Sequence, residues 1–142
     1  RPDGKTVNGY LAEPAAGSCP GVVVIQEWWG LNDQIRGVAN RLADAGFAAL
    51  VPDLYRGKAT VEAEEANHLM TGLDFGDAAS QDVRGAVQFL KAKGGKSSAK
   101  VAVTGFCMGG ALSLFELATA TETFTFTLNR KKLRLTRRRE GH

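Results

Sequence analysis

The 142 residues are 44% hydrophobic and 23% charged, the composition of a globular chain long enough for one domain with a buried core. No apolar run reaches the roughly 18 residues that cross a bilayer, and the first residues lack the apolar core of a signal peptide. Two cysteines are too few for a disulfide scaffold. We therefore expect a cytoplasmic protein that does not associate with membranes.

The net charge of +3 conceals an uneven distribution. Seven of the 18 Lys and Arg, but only one of the 15 acidic residues, lie in 129–142, so residues 1–128 carry a net charge of −3. A basic arm of this kind can contact nucleic acid or a membrane surface. This one has neither interleaved aromatic residues nor a basic helical face, so nucleic acid is not expected as a partner.

Runs typical of buried strands alternate with helical patterns along the chain. The first helix is expected between a cap at Asn32 or Asp33 and a stop at Gly46. This alternation predicts an α/β fold with a mostly parallel sheet and helices on both faces. The predicted strands are 6–14, 22–26, 47–52 and 100–105, and the later helices are 60–73, 75–95 (ending at Gly94–Gly95) and 107–120.

The pattern changes near residue 119, where Thr alternates with Phe or Leu, and then Leu with Arg. We expect a partial α/β domain over 1–118 and a basic tail over 119–142 that is disordered or non-native, as after a frameshift or truncation. The alternation also allows a hairpin across Asn129. A domain ending there leaves the strand at 100–104 with an uncovered edge, so an oligomer formed through that edge stays open as an alternative.

The stretch from Gly105 to Gly109, GFCMG, has the spacing of a nucleophile elbow, with cysteine in the place of serine. A strained strand-to-helix turn needs small residues two positions to either side, and Gly110 loosens the packing further. The start of a helix also stabilises a thiolate. We predict that Cys107 is a nucleophile; the alternative is a buried cysteine acting as a small hydrophobic residue.

Two backbone donors are needed to stabilise the oxyanion of a tetrahedral intermediate. The Met108 N–H follows the predicted nucleophile, and the Trp28 N–H lies in the loop after the strand 22–26. Glu27, at the mouth of that strand, is predicted to share the thiol proton until substrate arrives. The alternatives are that Glu27 caps a helix or pairs with an arginine, and that Trp28 and Trp29 are core or cleft walls.

Residues 6–117 resemble the dienelactone hydrolase family of α/β-hydrolases. The similarity lies in GVVVIQEWWGLNDQIR, LADAGFAALVPDLYRGK, HLMTGLDF and VAVTGFCMGGAL, in that order. The resemblance implies an α/β-hydrolase fold, a Cys107 nucleophile paired with Glu27, and an oxyanion hole formed by the amides of Trp28 and Met108. It also implies hydrolysis of a small-molecule ester or lactone, the type substrate being dienelactone.

The sequence departs from the family pattern downstream of the nucleophile. The family completes its triad with an Asp and a His, but no Asp follows Cys107 here and the only later His is His142. His68, upstream, is interpreted as a packing or solvated residue. An arginine that binds the substrate carboxylate would fall near Ala63 and is absent. We therefore expect a hydrolase with impaired catalysis that lacks the C-terminal strands of the fold.

No metal or organic cofactor is predicted. The His, Cys, Asp and Glu residues show no cluster at metal-ligand spacing, and the glycines form neither a phosphate loop nor a dinucleotide fingerprint. The alternative to a hydrolase is a non-catalytic binding protein that uses the pocket or the basic C-terminal tail.

Overall fold

A computed structural model describes residues 1–15, 17–93, 100–119, 124–128 and 131–135. The elements follow the predicted order of strands and helices. The predicted helix stop at Gly94–Gly95, the turn at Asn129 and the basic end 136–142 lie outside the described residues. The elements are β1 (Gly9–Ala12), β2 (Gly21–Ile25), α1 (Asp33–Asp44), β3 (Ala48–Pro52), α2 (Ala63–Thr71), α3 (Phe75–Asp77), a π-helical segment (Ala78–Val83), α4 (Arg84–Lys93), β4 (Val101–Gly105), α5 (Met108–Thr119), β5 (Phe124–Leu128) and β6 (Lys131–Leu135).

The main sheet has four strands in the order β1-β3-β2-β4. β2 pairs in parallel with β3 on one side and with β4 on the other, and β1 pairs antiparallel with β3. The prediction of a mostly parallel sheet is therefore confirmed, with β1 as the antiparallel exception. Within the described part of the chain, β4 pairs with β2 alone. β5 and β6 pair antiparallel in a separate sheet, the hairpin that the tail's alternation allowed.

The side chains of β2 alternate between two buried clusters, one on each face of the sheet. Val23 and Ile25 pack with residues of α4 and α5, whereas Val22 and Val24 pack with α1. All four side chains are buried. A strand that helices cover on both faces needs apolar side chains at every position, so its sequence is a continuous β-branched run. This pattern predicts the strand, and the structure confirms it. The predicted helices on both faces are confirmed.

The ends of α1 follow the predicted local signals. The side chain of Asn32 accepts a hydrogen bond from the Ile35 N–H at 3.1 Å, so Asn32 rather than Asp33 is the N-terminal cap. Gly46 has φ +96°, and the Phe47 N–H donates to the Leu42 carbonyl at 3.0 Å. This is the left-handed glycine termination that satisfies the last carbonyls of a helix.

The single helix predicted over 75–95 is interrupted by the π-helical segment Ala78–Val83. The neighbouring residues Asp82 and Val83 are both buried there. A π turn adds one residue to the helical repeat, which turns a polar side chain inward beside an apolar one. The spacing of the apolar residues predicted the helix but not this insertion. That spacing records only apolar positions, whereas the residue that the insertion turns inward, Asp82, is charged.

We expect Asn32→Ala to lower the free energy of unfolding by about 1 kcal/mol, because the Ile35 N–H loses its acceptor. Urea unfolding followed by circular dichroism measures the change. Asn67→Ala, at an exposed position within α2, is the matched control and should be neutral or slightly stabilising. Equal effects of the two substitutions would contradict the capping role.

Candidate active site

Cys107 lies in the turn between the last residue of β4 and the first residue of α5, and its side chain is exposed. Its backbone has φ +55°, in the left-handed region that a non-glycine residue adopts at a cost of about 1–3 kcal/mol. The Gly109 N–H donates to the Phe106 carbonyl at 2.9 Å, and the Ala111 N–H donates to the Cys107 carbonyl at 3.2 Å. The turn is thus strained and enters the helix directly.

Two glycines permit the close approach that holds this turn. A Cβ on Gly105 would lie 2.4 Å from the backbone of Gly109, and a Cβ on Gly109 would lie 2.6 Å from the Ile25 carbonyl oxygen. Neither contact can relax without moving backbone. Gly110 is less constrained, because its Cβ would come no nearer than 3.4 Å to the Gly105 oxygen. The start of α5 therefore packs directly on the end of β2.

Glu27 lies at the same edge of the sheet as Cys107. Ile25 pairs with Gly105 in the parallel register of β2 and β4, and each of the two predicted site residues follows its paired residue by two positions. Glu27 is half-buried, and its carbonyl accepts a hydrogen bond from the Gly30 N–H at 3.2 Å. The carboxyl ends of adjacent parallel strands are where open α/β sheets bind ligands.

Trp28 and Met108 carry the two predicted backbone donors, and both are anchored in one buried cluster. Met108 is a buried member of that cluster, and the half-buried Trp28 packs against it. The Trp28 ring also contacts Trp29 edge to face, with the ring centroids 5.1 Å apart. The Trp28 side chain is therefore a wall of the core, as one of the alternatives held.

Sequence reasoning missed Gln26, which is fully buried at the end of β2. Its Oε1 accepts a hydrogen bond from the Leu54 N–H at 3.1 Å, while its Nε2 has no partner among the described residues. A polar residue closing a β-branched run was the available signal. This side chain ties the segment before Glu27 to the loop after β3.

The loop after β3 also reaches the start of α5. The Tyr55 hydroxyl donates to the Met108 Sδ at 3.3 Å. Burial raises the pKa of Tyr55 to about 12, so this hydroxyl keeps its proton at neutral pH. Asp53 closes the loop by accepting from the Tyr55 N–H at 3.2 Å and from the Gly57 N–H at 2.6 Å. Loop and helix are thus held together by buried contacts.

Asp82 in the π-helical segment supports the same loop from the other side. Its buried carboxylate lies 2.9 Å from a guanidinium nitrogen of Arg56 and 3.0 Å from one of Arg1. Burial raises the pKa of Asp82 above its ordinary value, although the hydrogen bond from Arg56 opposes the shift. Arg56 itself has φ +56°, so this ion pair holds a second strained residue.

His68 lies on α2, where it lines a surface depression together with Glu62, Glu64 and Glu65. Neither Cys107 nor Glu27 lines that depression.

Among the described residues, no group of three or more His, Cys, Asp or Glu could hold a metal ion. In the same part of the chain, no helix has the length and apolar character needed to cross a membrane.

A family model described as "Dienelactone hydrolase family" matches residues 7–128. The chain belongs to the dienelactone hydrolase family. This match extends past residue 117, where the resemblance seen in the sequence ends, and it includes β5.

Curated relatives of this family align with most of the chain. It is 42% identical to Protein usf of Aquifex pyrophilus over 118 residues, which are 80% of this chain and 51% of that protein. It is 32% identical to the carboxymethylenebutenolidase of Pseudomonas putida over 125 residues, which are 82% of this chain and 52% of that enzyme. The chain spans about half the length of the curated relatives it matches.

Solved structures agree with the family assignment. A candidate dienelactone hydrolase from Klebsiella pneumoniae matches with a TM-score of 0.73 at 26% identity, over 83% of this chain and 51% of that chain. A dienelactone hydrolase-like promiscuous phosphotriesterase from metagenomic libraries matches with a TM-score of 0.63 at 30% identity, over 81% and 55% of the two chains. The predicted α/β-hydrolase fold is confirmed over the half that this chain shares with its neighbours.

We expect Gly109→Ala to lower the free energy of unfolding by about 3 kcal/mol, because the added methyl group meets backbone carbonyls that cannot move aside. Gly110→Ala is the matched control one residue on, where the added Cβ makes only a 3.4 Å contact. Its change should stay within about 1 kcal/mol. Chemical denaturation of both variants tests the difference, and equal stabilities would contradict the close approach.

The hydroxyl of Tyr55 should stabilise the fold in a pH-dependent way. Its pKa of about 12 in the folded chain exceeds the value of roughly 10 expected in the unfolded chain. Between these values the native state retains a proton that the unfolded state has lost, so the contribution is complete below pH 10 and falls as pH rises. The Tm difference between wild type and Tyr55→Phe should therefore shrink above pH 10. A constant difference up to pH 12 would contradict the burial effect.

Proposed function

We propose that this chain carries an ester or lactone hydrolase site with Cys107 as the nucleophile and Glu27 as its proton acceptor. The backbone N–H groups of Trp28 and Met108 form the oxyanion hole. The observation that carries the proposal is the left-handed backbone of Cys107, with an exposed side chain, at the carboxyl edge of the sheet. Strain at a residue with no packing role in the core is typical of a functional position.

The chemistry begins with transfer of the Cys107 Sγ proton to the Glu27 carboxylate. The thiolate attacks the carbonyl carbon of the ester, an S–C bond forms, and the carbonyl electron pair moves onto oxygen. The two N–H groups stabilise that oxyanion. Its collapse breaks the C–O bond, and the departing alkoxide takes the proton back from Glu27. The products of this half-reaction are an alcohol and a thioester on Cys107.

Release of the acyl group requires water to add to the thioester carbon, which yields a carboxylic acid and restores the thiol. A base that activates this water accounts for several orders of magnitude in triad enzymes. No Asp follows Cys107 in this chain, and His142 lies outside the described residues. We therefore propose that acylation is faster than deacylation in the 142-residue chain.

The names of the relatives support the substrate class. The Pseudomonas putida relative is a carboxymethylenebutenolidase, and a Bradyrhizobium relative, 30% identical over 120 residues, is described as a probable lactonase. In a lactone the alkoxide released by collapse remains part of the same molecule. A small lactone or ester is therefore the proposed substrate of Cys107. A thiol nucleophile must also stay reduced, which agrees with the expected cytoplasmic location.

We expect a p-nitrophenyl ester to release one equivalent of p-nitrophenolate per chain in a burst, followed by a slow phase. Mass spectrometry should find the acyl group on Cys107. The burst should be lost in Cys107→Ala, and its rate should fall by about 100-fold or more in Glu27→Gln. Cys19→Ala is the matched control, since Cys19 is half-buried before β2, and it should retain the burst.

Two results would overturn parts of this proposal separately. A full burst in Cys107→Ala would contradict the nucleophile. Sustained turnover at rates of about 1 per second or more, lost in Cys107→Ala, would keep the nucleophile but contradict slow deacylation. Reversible ligand binding without any acylation would instead favour a non-catalytic binding protein.

A further inference from the structure

The loop from Asp53 to Gly57 contacts both segments that carry the candidate oxyanion donors. One segment leads from β2 to Trp28, and the other runs from Cys107 into α5. The loop connects them through two side chains, Gln26 and Tyr55, which belong to neither donor.

The contact on the Trp28 side is the hydrogen bond from the Leu54 N–H to the Gln26 Oε1, at 3.1 Å and fully buried. The carbonyl oxygen of Gln26 also lies 2.7 Å from the position that a Cβ on Gly109 would occupy. Gln26 is therefore held between the loop and the first turn of α5. Glu27 and Trp28 follow it directly, so their positions depend on how Gln26 is held.

The contact on the Met108 side is the Tyr55 hydroxyl, which donates to the Met108 Sδ at 3.3 Å. Leu54, Tyr55 and Met108 belong to the same buried cluster, against which Trp28 also packs. Met108 is thus held by packing in that cluster and by the Tyr55 hydroxyl at its Sδ, and its backbone N–H is the second donor. Tyr55 thus restrains that backbone from the loop side.

The loop is rigid enough to serve as a reference for both contacts. Asp53 accepts two backbone N–H groups, and a guanidinium nitrogen of Arg56 donates to the Asp53 carbonyl at 2.9 Å. Arg56 in turn pairs with the buried Asp82, which fixes the loop to the π-helical segment. These four contacts involve a loop of five residues, so a change in its backbone conformation would break several of them at once.

We propose that the loop Asp53–Gly57 sets the spacing between the Trp28 and Met108 N–H groups, with Gln26 and Tyr55 as the two positioning residues. The inference rests on the proposed function, because it assigns these N–H groups to the oxyanion. Donors must lie about 2.7–3.1 Å from the oxyanion to stabilise it, so a displacement of a few tenths of an ångström matters. Neither positioning residue touches the substrate.

The test compares two reactions of Cys107 in the same protein. Acylation by p-nitrophenyl acetate passes through a tetrahedral oxyanion. Alkylation by iodoacetamide forms an S–C bond at a saturated carbon while iodide leaves with the C–I electron pair, and it forms no oxyanion. The ratio of the acylation rate to the alkylation rate therefore separates an effect on oxyanion stabilisation from an effect on the reactivity of the thiol. Peptide mass spectrometry restricts the alkylation measurement to Cys107.

We expect Tyr55→Phe to lower this ratio by about 3- to 10-fold, and Gln26→Met to lower it by about 10- to 100-fold. The alkylation rate should stay within about twofold of wild type in Tyr55→Phe. In Gln26→Met the ratio corrects for any change in thiol reactivity that a shift of Glu27 causes. Tyr10→Phe removes a hydroxyl that donates to the Asn40 Oδ1 at 2.7 Å, and Tyr10 lies in β1, at the opposite edge of the sheet from β4. Gln88→Met removes an amide that is exposed on α4. Both controls should leave the ratio unchanged.

Each outcome decides the inference. Thermal unfolding of every variant identifies a loss of folding, and Tyr55→Phe, which removes one oxygen atom, carries the test if Gln26→Met does not fold. Unchanged ratios in folded variants, or equal losses in the controls, would overturn the positioning role while leaving the proposed function intact. No acylation of wild-type Cys107 would overturn both. A lower ratio confined to Tyr55→Phe and Gln26→Met supports the inference.

Discussion

The close approach of the β4–α5 turn to the end of β2 is the constraint on which the rest of the site depends. A side chain is excluded at Gly105 because its Cβ would meet the backbone of Gly109, and at Gly109 because its Cβ would meet the carbonyls of Ile25 and Gln26. The first turn of α5 therefore lies against the carbonyls of Ile25 and Gln26. This single contact sets where the helix begins, forces Cys107 into a left-handed conformation and brings the chain after β2 to the same edge.

Such strain persists only when the surrounding structure determines it from several sides. Two non-glycine residues of the described chain have positive φ, and they are Cys107 and Arg56. Cys107 lies between Gly105 and Gly109, where the ends of β4 and α5 approach closely. Arg56 pairs with the buried Asp82. Burial of β2 on both faces gives the sheet the stiffness to keep these turns in place. The rigid part of the fold therefore lies directly beneath the edge that carries Cys107 and Glu27.

Local and periodic signals allowed much of this to be predicted from the sequence. The β-branched run 22–26, the cap at Asn32 and the glycine spacing around Cys107 each act within a few residues. Gln26 and Tyr55 could not be predicted in the same way, because their partners lie 28 and 53 positions away. A polar residue in an apolar run shows that a partner exists, but only the fold identifies it. The π-helical segment was missed for the same reason, since its inward Asp82 pairs with Arg56 on a different element.

Covalent catalysis by a thiol makes different structural demands in its two halves. Acylation needs a nucleophile, a proton acceptor and two backbone donors, and the ends of the adjacent strands β2 and β4 supply candidates for all of them. These groups lie between Glu27 and Met108, within the half of the family's length that this chain covers. Deacylation needs a further base directed at a water molecule on the thioester. The only histidine among the described residues, His68, lines the acidic depression on α2, to which Cys107 does not belong. In the proposed mechanism, thioester hydrolysis is therefore the step that the described residues constrain least, whereas thioester formation uses groups that the described fold contains.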